Sequence, residues 1–214
     1  MTYDILLAGV GGQGVLSMAA VIGRAALAEG LHVKQSEVHG MAQRGGAVLA
    51  HLRLSDAPIE SDLIARGTAD LILSLEPVES LRYLAFLAPK GALVTTSNPF
   101  VNIPDYPPIE DLLATIRTLP RTTIVDAEWI ATEAGDVQAL NAVMVGAAMP
   151  LLPLRPESVE AAVREQFGRK GDDVLRCNLA ALRAGRTAAG GVAASALAKG
   201  HAVAAPPPAA EATP

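Results

Sequence analysis

A doubly wound α/β domain is the fold class this sequence predicts, and three observations predict it. Short apolar runs alternate with segments of helical periodicity along most of the chain. The first apolar run breaks into a cluster of glycines that opens a helix. Half of the 214 residues are hydrophobic and 18% are charged, which suits one well-packed core. A Rossmann-like, mostly parallel sheet flanked by helices is therefore expected, followed by a helical C-terminal part and a low-complexity tail.

The elements follow in chain order. "DILLA" (Asp4 to Ala8) is a short apolar strand, and the glycine turn after it leads into a helix. There Val15, Ala19, Ile22 and Ala26 recur at helical spacing, and Gly30 takes the position helices favour just past their end. "HVKQSEV" (32 to 38) reads as a second strand, joined to the first by a right-handed crossover. "AVLAHLRLS" (47 to 55) is a third, with Val48, Ala50, Leu52 and Leu54 on one face. The segment before it is too short for a crossover helix, so an antiparallel pairing is open to it. "ADLILSLE" (69 to 76) is a further buried strand, and "PVESLRYLAFL" (77 to 87) is a helix with proline in its first turn.

"GALVTTS" and "TTIVDA" are two more strands, separated by the proline-rich loop "NPFVNIPDYPP" and the helix "IEDLLATIRTL". From Ala127 the pattern is helical. "LNAVMVGAAMPLL" reads as buried on all sides, "RPESVEAAVREQF" as amphipathic, and "DDVLRCNLAALRAGR" (172 to 186) as the last helix. Two regions result: a domain over residues 1–186, and an Ala/Gly/Pro-rich tail over 187–214 expected to be disordered or loosely docked.

Composition narrows the function classes. A net charge of -5 argues against nucleic-acid binding, which calls for a basic face. The single cysteine, Cys177, forms no internal disulfide and by itself holds neither zinc nor an iron–sulfur cluster. No basic region precedes an apolar segment at the start, and charge or proline interrupts every helical stretch before it could span a bilayer. A cytoplasmic protein with no membrane or nucleic-acid partner is expected.

Two segments carry chemistry. "GVGGQG" sets glycines at 9, 11 and 14, matching G-x-G-x-x-G, with Gly12 in addition. Glycines there allow a tight turn and bring backbone N–H groups up to an anion at a helix N-terminus. The same turn is equally compatible with having no ligand. A dinucleotide site also needs an acid at the end of the second strand, about 20 residues on. The candidate, Glu37, comes late and stands in a polar cluster, and Gln13 is bulky for a helix start. The second segment, "SEVHGMAQRGG" (36 to 46), groups Ser, Glu, His, Gln and Arg among three glycines. Arg44 suits a phosphate or carboxylate, and Gly45–Gly46 suits close approach to another surface. Glu37 and His39 are the catalytic candidates. Plainer readings are an ion pair between Glu37 and Arg44 and a hydrogen-bonded loop histidine. No Ser-His-Asp arrangement or metal-ligand spacing is present, and His51 reads as structural.

"GVGGQG" followed by "SEVHGMAQRGG", with "DLILSLEPVESLRYL" and "NAVMVGAA" further on, resembles the gamma-type subunit or domain of the 2-oxoacid:ferredoxin oxidoreductases. Within that family it is most similar to the small (beta) subunit of the indolepyruvate enzymes, over roughly residues 1 to 185. The resemblance implies a part in the coenzyme A-dependent oxidative decarboxylation of an arylpyruvate to acyl-CoA and CO2, with ferredoxin reduced. It places thiamine diphosphate and iron–sulfur clusters in a large partner subunit and leaves this chain inactive alone. Carried over by position, it points to Gly9, Gly11, Gly12, Gln13 and Gly14, then Gln43, Arg44, Gly45 and Gly46, for coenzyme A contact or for packing on the partner. A stand-alone NAD or nucleotide-binding enzyme and a purely structural subunit remain the alternatives.

Overall fold

The protein is described by a computed structural model covering residues 1–39, 45–101 and 103–198. The elements run β1 (Thr2–Val10), α1 (Val15–Ala28), β2 (His32–His39), β3 (Ala47–Ser55), β4 (Ala69–Ser74), α2 (Pro77–Arg82), β5 (Leu87–Thr96), α3 (Ile109–Thr118), β6 (Thr122–Val125), α4 (Ala127–Glu133), α5 (Leu140–Ala148), α6 (Pro156–Phe167) and α7 (Asp172–Ala198). Among the described residues the strands form one sheet in the order β2-β3-β1-β4-β5-β6. β1, β4, β5 and β6 run parallel, while β3 lies antiparallel to both β1 and β2. The sheet is mostly parallel, as the sequence predicts. The antiparallel strand is the one whose preceding segment was too short to cross over.

Period-2 alternation divides the core in two. Ile5, Leu7, Ala50, Leu52, Leu54, Leu71, Leu73 and Val94 point to one face, under α1, α4, α5, α6 and α7. Leu6, Ile72 and Leu93 point to the other, under α2 and α3, with Ile116 filling the gap. Leu7 is wholly buried, and cutting it to alanine would cost about 2–5 kcal/mol. α5 is enclosed as expected, every residue from Ala142 to Ala148 being buried.

Three boundaries differ from the sequence reading. The helix expected over 77 to 87 stops at Arg82. A single 3-10 turn (Leu84–Phe86) follows, and Leu87 already belongs to β5. The strand expected to reach Glu76 ends at Ser74, because Glu76 caps α2. α7 does not end at Arg186 but continues to Ala198, a run of alanines with high helix propensity on which Ala189 is still buried. Residues 199–214 of the expected tail lie outside the described residues.

His51 is structural, as read from the sequence. It is buried, its Nδ1 accepts the Ile64 amide at 3.1 Å, and it meets the Phe86 ring edge-on at 5.8 Å. Burial pushes its pKa down, outweighing the upward pull of Asp62, so the ring stays neutral.

Candidate site at the carboxyl edge of the sheet

The carboxyl ends of β1, β4, β5 and β6 point to one edge, where open α/β sheets bind their ligands. β3 starts there and β2 ends there, because β3 runs the other way. Both sequence motifs therefore converge on this edge.

They also bond to each other. The ladder between β1 and β3 ends at Val10 opposite Ala47. Beyond it the Gly11 amide donates to the Gly46 carbonyl at 2.8 Å, and the Gly45 amide donates to the Gly11 carbonyl at 3.2 Å. Gly45 has φ +78, a left-handed conformation that favours glycine. Two segments 34 residues apart thus form one backbone-bonded unit. Gln43 and Arg44, with Gly40, lie outside the described residues.

The glycine turn is built around Gln13. Its Oε1 accepts the amide of buried Val10 at 2.8 Å, and its Nε2 donates to the Leu75 carbonyl at the end of β4, 3.1 Å away. The side chain that looked too bulky for a helix start braces the turn from inside. At Gly9 a Cβ would lie 2.8 Å from Val15 Cγ2 and 3.0 Å from Gln13 Oε1. Gly14, at φ +84, precedes the first turn of α1 and is backed by Asn141, whose Nδ2 donates to the Gly14 carbonyl at 3.4 Å. Asn141 opens the "NAVMVGAA" segment, so that motif completes the turn. Gly12, at φ +103, has no neighbour within 4 Å of where a Cβ would stand and faces open space.

Glu37 is not placed as a dinucleotide site requires. In that arrangement the second strand lies beside the first. Here Glu37 pairs with Ala50, which pairs with Leu7, so it stands two strand spacings, about 10 Å, from β1. It is exposed, and its Oε2 accepts from Gln35 Nε2 at 3.5 Å. His39 is the last residue of β2, opposite Val48.

A second polar group at this edge went unnoticed in the sequence. Glu76, 1% exposed, follows β4 and accepts three donors: the Glu79 amide at 2.9 Å, the Phe100 amide at 3.4 Å and the Tyr106 hydroxyl. Glu79 is also buried, and its carboxylate takes Arg82 Nε at 3.0 and 3.2 Å. Burial pushes the Glu79 pKa up, Arg82 opposes this, and the nearby Glu76 charge adds to the rise. Farther along, Asn98 donates to Asp126 Oδ1 at 3.0 Å and accepts the Glu128 amide at 3.0 Å, tying the loop after β5 to α4. The signal was present in "SLEPVES": an acid closing an apolar strand directly before a helix-starting proline. Among the described residues no cluster of three His, Cys, Asp or Glu side chains could hold a metal, and no helix is long and apolar enough to cross a membrane.

Comparison with known proteins gives a consistent picture. Residues 4–188 match the family described as Pyruvate ferredoxin/flavodoxin oxidoreductase. The indolepyruvate oxidoreductase subunit IorB of Archaeoglobus fulgidus is 40% identical over 195 residues, covering 86% of this chain and 94% of the relative. The IorB subunit of Pyrococcus horikoshii is 38% identical over 182 residues, covering 80% and 90%. Among solved structures, the gamma subunit of a keto/oxoacid ferredoxin oxidoreductase from Geobacter sulfurreducens superposes with a TM-score of 0.66 at 26% identity, covering 88% of this chain and 99% of that one. The 2-oxoglutarate:ferredoxin oxidoreductase of Magnetococcus marinus, solved with 2-oxoglutarate, coenzyme A and succinyl-CoA, shares the fold at TM-score 0.70 and 21% identity. There 89% of this chain corresponds to 31% of a much longer one.

Proposed function

Since the chain belongs to the pyruvate ferredoxin/flavodoxin oxidoreductase family, as a small subunit of ferredoxin-dependent 2-oxoacid oxidoreductases, we propose that its complex acts on indolepyruvate or a related arylpyruvate. The reaction converts the 2-oxoacid and coenzyme A to acyl-CoA and CO2, and the two electrons pass singly to ferredoxin. The observation that carries this reading is the 40% identity to an indolepyruvate oxidoreductase subunit across nearly its whole length. The complex is cytoplasmic, and this chain is inactive without its partner.

The redox and carbanion chemistry belongs to the large partner. A cluster needs several thiolates, and this chain has only Cys177, on α7. Thiamine diphosphate, bound in the partner, supplies the electron sink for decarboxylation. The part of this chain lies at the carboxyl edge. Coenzyme A brings several phosphate charges, and the turn of Gly9, Gly11, Gly12, Gln13 and Gly14 sets the N-terminus of α1 at that edge. Gln43, Arg44, Gly45 and Gly46 are the second set proposed for coenzyme A contact, Arg44 being suited by its charge to a phosphate. The bond between Gly11 and Gly46 supports a single anion-facing unit.

The test is reconstitution. The purified chain is mixed with the large subunit, and arylpyruvate- and coenzyme A-dependent reduction of ferredoxin is followed. Activity of the mixture and of neither part alone is expected; turnover by this chain alone, or an unchanged rate without it, overturns the reading. Within the active complex, Gly12→Ala and Arg44→Ala should each raise the coenzyme A KM. If both alter assembly and leave that KM unchanged, the edge serves packing only.

A further inference from the structure

Residues 56–68 join β3 to β4 without a helix or strand of their own. A connection of that length with no secondary structure calls for a reason. Side chains from three strands hold it against the sheet. Lys34 Nζ on β2 donates to the Glu60 carbonyl at 3.1 Å. Arg53 on β3 donates through Nη1 to the carbonyls of Ser61 at 3.0 Å and Leu63 at 3.3 Å, while Asp4 on β1 accepts its Nε and Nη2. One residue farther, the Ile64 amide donates to His51 Nδ1 at 3.1 Å. Ile64 is the one buried residue of the connection, and it belongs to the apolar cluster of Leu6, Ile72 and Leu93.

These ties respond differently to acid. Lys34 and Arg53 are donors that already carry their protons at neutral pH, so lower pH leaves them donors. At Ile64 the sense is reversed: the backbone donates and the imidazole accepts. A proton on Nδ1 turns that acceptor into a donor and sets two N–H groups against each other. It also charges a ring that is buried and edge-on to Phe86. The surrounding charges do not offset this. Burial holds the His51 pKa below its ordinary 6.5, against the pull of Asp62 on the connection and Asp4 on β1, with Arg53 on β3 adding to the fall. Asp4 is already engaged by Arg53, Lys34 on β2 stands opposite Arg53, and Asp70 on β4 accepts the Asp4 amide.

We propose that residues 56–68 are an acid-released strap, held shut by neutral His51 and opened when that ring takes a proton at Nδ1. The device is independent of the function proposed above. Opening withdraws Ile64 from Leu6 and Ile72 and leaves the sheet paired, because none of residues 56–68 belongs to a strand. The sign of the pH dependence follows from linkage. In the open form the ring is hydrated and returns to 6.5, so the open form binds the proton more tightly than the closed one. The stability of the closed strap is therefore complete above pH 6.5 and is lost as pH falls from there through the closed-state value.

The test is amide hydrogen exchange of the purified full chain, followed by NMR between about pH 7 and pH 5 and expressed as protection over the unfolded-chain rate. The Ile64 amide should lose protection several-fold across that range, while the amides of Leu7 and Leu73, wholly buried in the sheet, keep theirs. His51→Asn sets a neutral carbonyl oxygen near the place of Nδ1 and should make Ile64 protection independent of pH. His51→Phe removes the acceptor and should leave Ile64 poorly protected throughout. Unchanged Ile64 protection in the wild type overturns the strap. So does a fall that His51→Asn retains, which would assign the response to Asp4 or Asp62. A parallel fall at Leu7 and Leu73 would mean that acid opens the whole fold, and it overturns a local strap as well.

Discussion

The side-chain amide of Gln13 donates to the carbonyl of Leu75 across 3.1 Å while its oxygen accepts the Val10 amide at 2.8 Å. One residue inside the glycine turn therefore joins β1, the start of α1 and the end of β4. Gln13→Ala leaves the amide of buried Val10 without a partner and should cost about 2 kcal/mol, seen as a lower urea midpoint. Gln13→Glu keeps an acceptor for Val10 but sets a carboxylate against the Leu75 carbonyl. It should be at least as destabilising at pH 7 and recover as the carboxyl is protonated.

The glycines of the turn are not equivalent, and thermal denaturation should rank them. Gly14→Ala combines a positive φ with a Cβ that would fall within 2.4 Å of Asn141 Nδ2, so it should be the most damaging. Gly9→Ala has an ordinary φ but crowds Val15 and Gln13. Gly12→Ala meets nothing and should cost only backbone strain, about 1–3 kcal/mol. A Gly12 variant as unstable as the Gly14 variant would contradict this account.

Much of the fold was legible because each parallel strand is a continuous apolar run and each helix shows its period. "AVLAHLRLS" gave the limits of β3, and its antiparallel direction followed from the short segment before it. Its insertion between β1 and β2 was not legible, since strand order is set by long-range pairing that leaves no local mark. That order is what removes Glu37 from the turn. At the site, both glycine motifs were visible, but their backbone bonds were not, because amide-to-carbonyl contacts carry no residue signature. Glu76 was overlooked for another reason. At the end of an apolar strand it read as part of the strand, and one of its hydrogen-bond donors, Tyr106, is 30 residues away.

Gly146 and Gly185 let α5 and α7 pack backbone against backbone. A Cβ on Gly146 would lie 2.0 Å from the Leu182 carbonyl oxygen, and one on Gly185 would lie 2.0 Å from that of Val143. Backbone cannot yield as a side-chain end can. Either glycine replaced by alanine should separate the helices and cost about 3 kcal/mol or more. Gly190 and Gly191, later on α7, have open space, so alanine there should be neutral or slightly stabilising. The contrast along a single helix is measurable by chemical denaturation.

Glu79 gives the edge a pH dependence whose sign can be worked out. Burial raises its pKa above the ordinary carboxylate value of 4.5, with Arg82 opposing and Glu76 reinforcing the rise. A carboxyl with a raised folded-state pKa holds its proton longer in the folded chain than in the unfolded one. Its contribution to stability is complete below the unfolded value and is lost as pH rises through the folded one. Glu79→Gln removes that titration and keeps the shape. Across the range from pH 4.5 upward toward neutrality, the variant's unfolding free energy should gain on the wild type's, measured by urea denaturation at fixed salt. A difference that runs the opposite way would mean that Arg82 outweighs burial and holds Glu79 below its ordinary value.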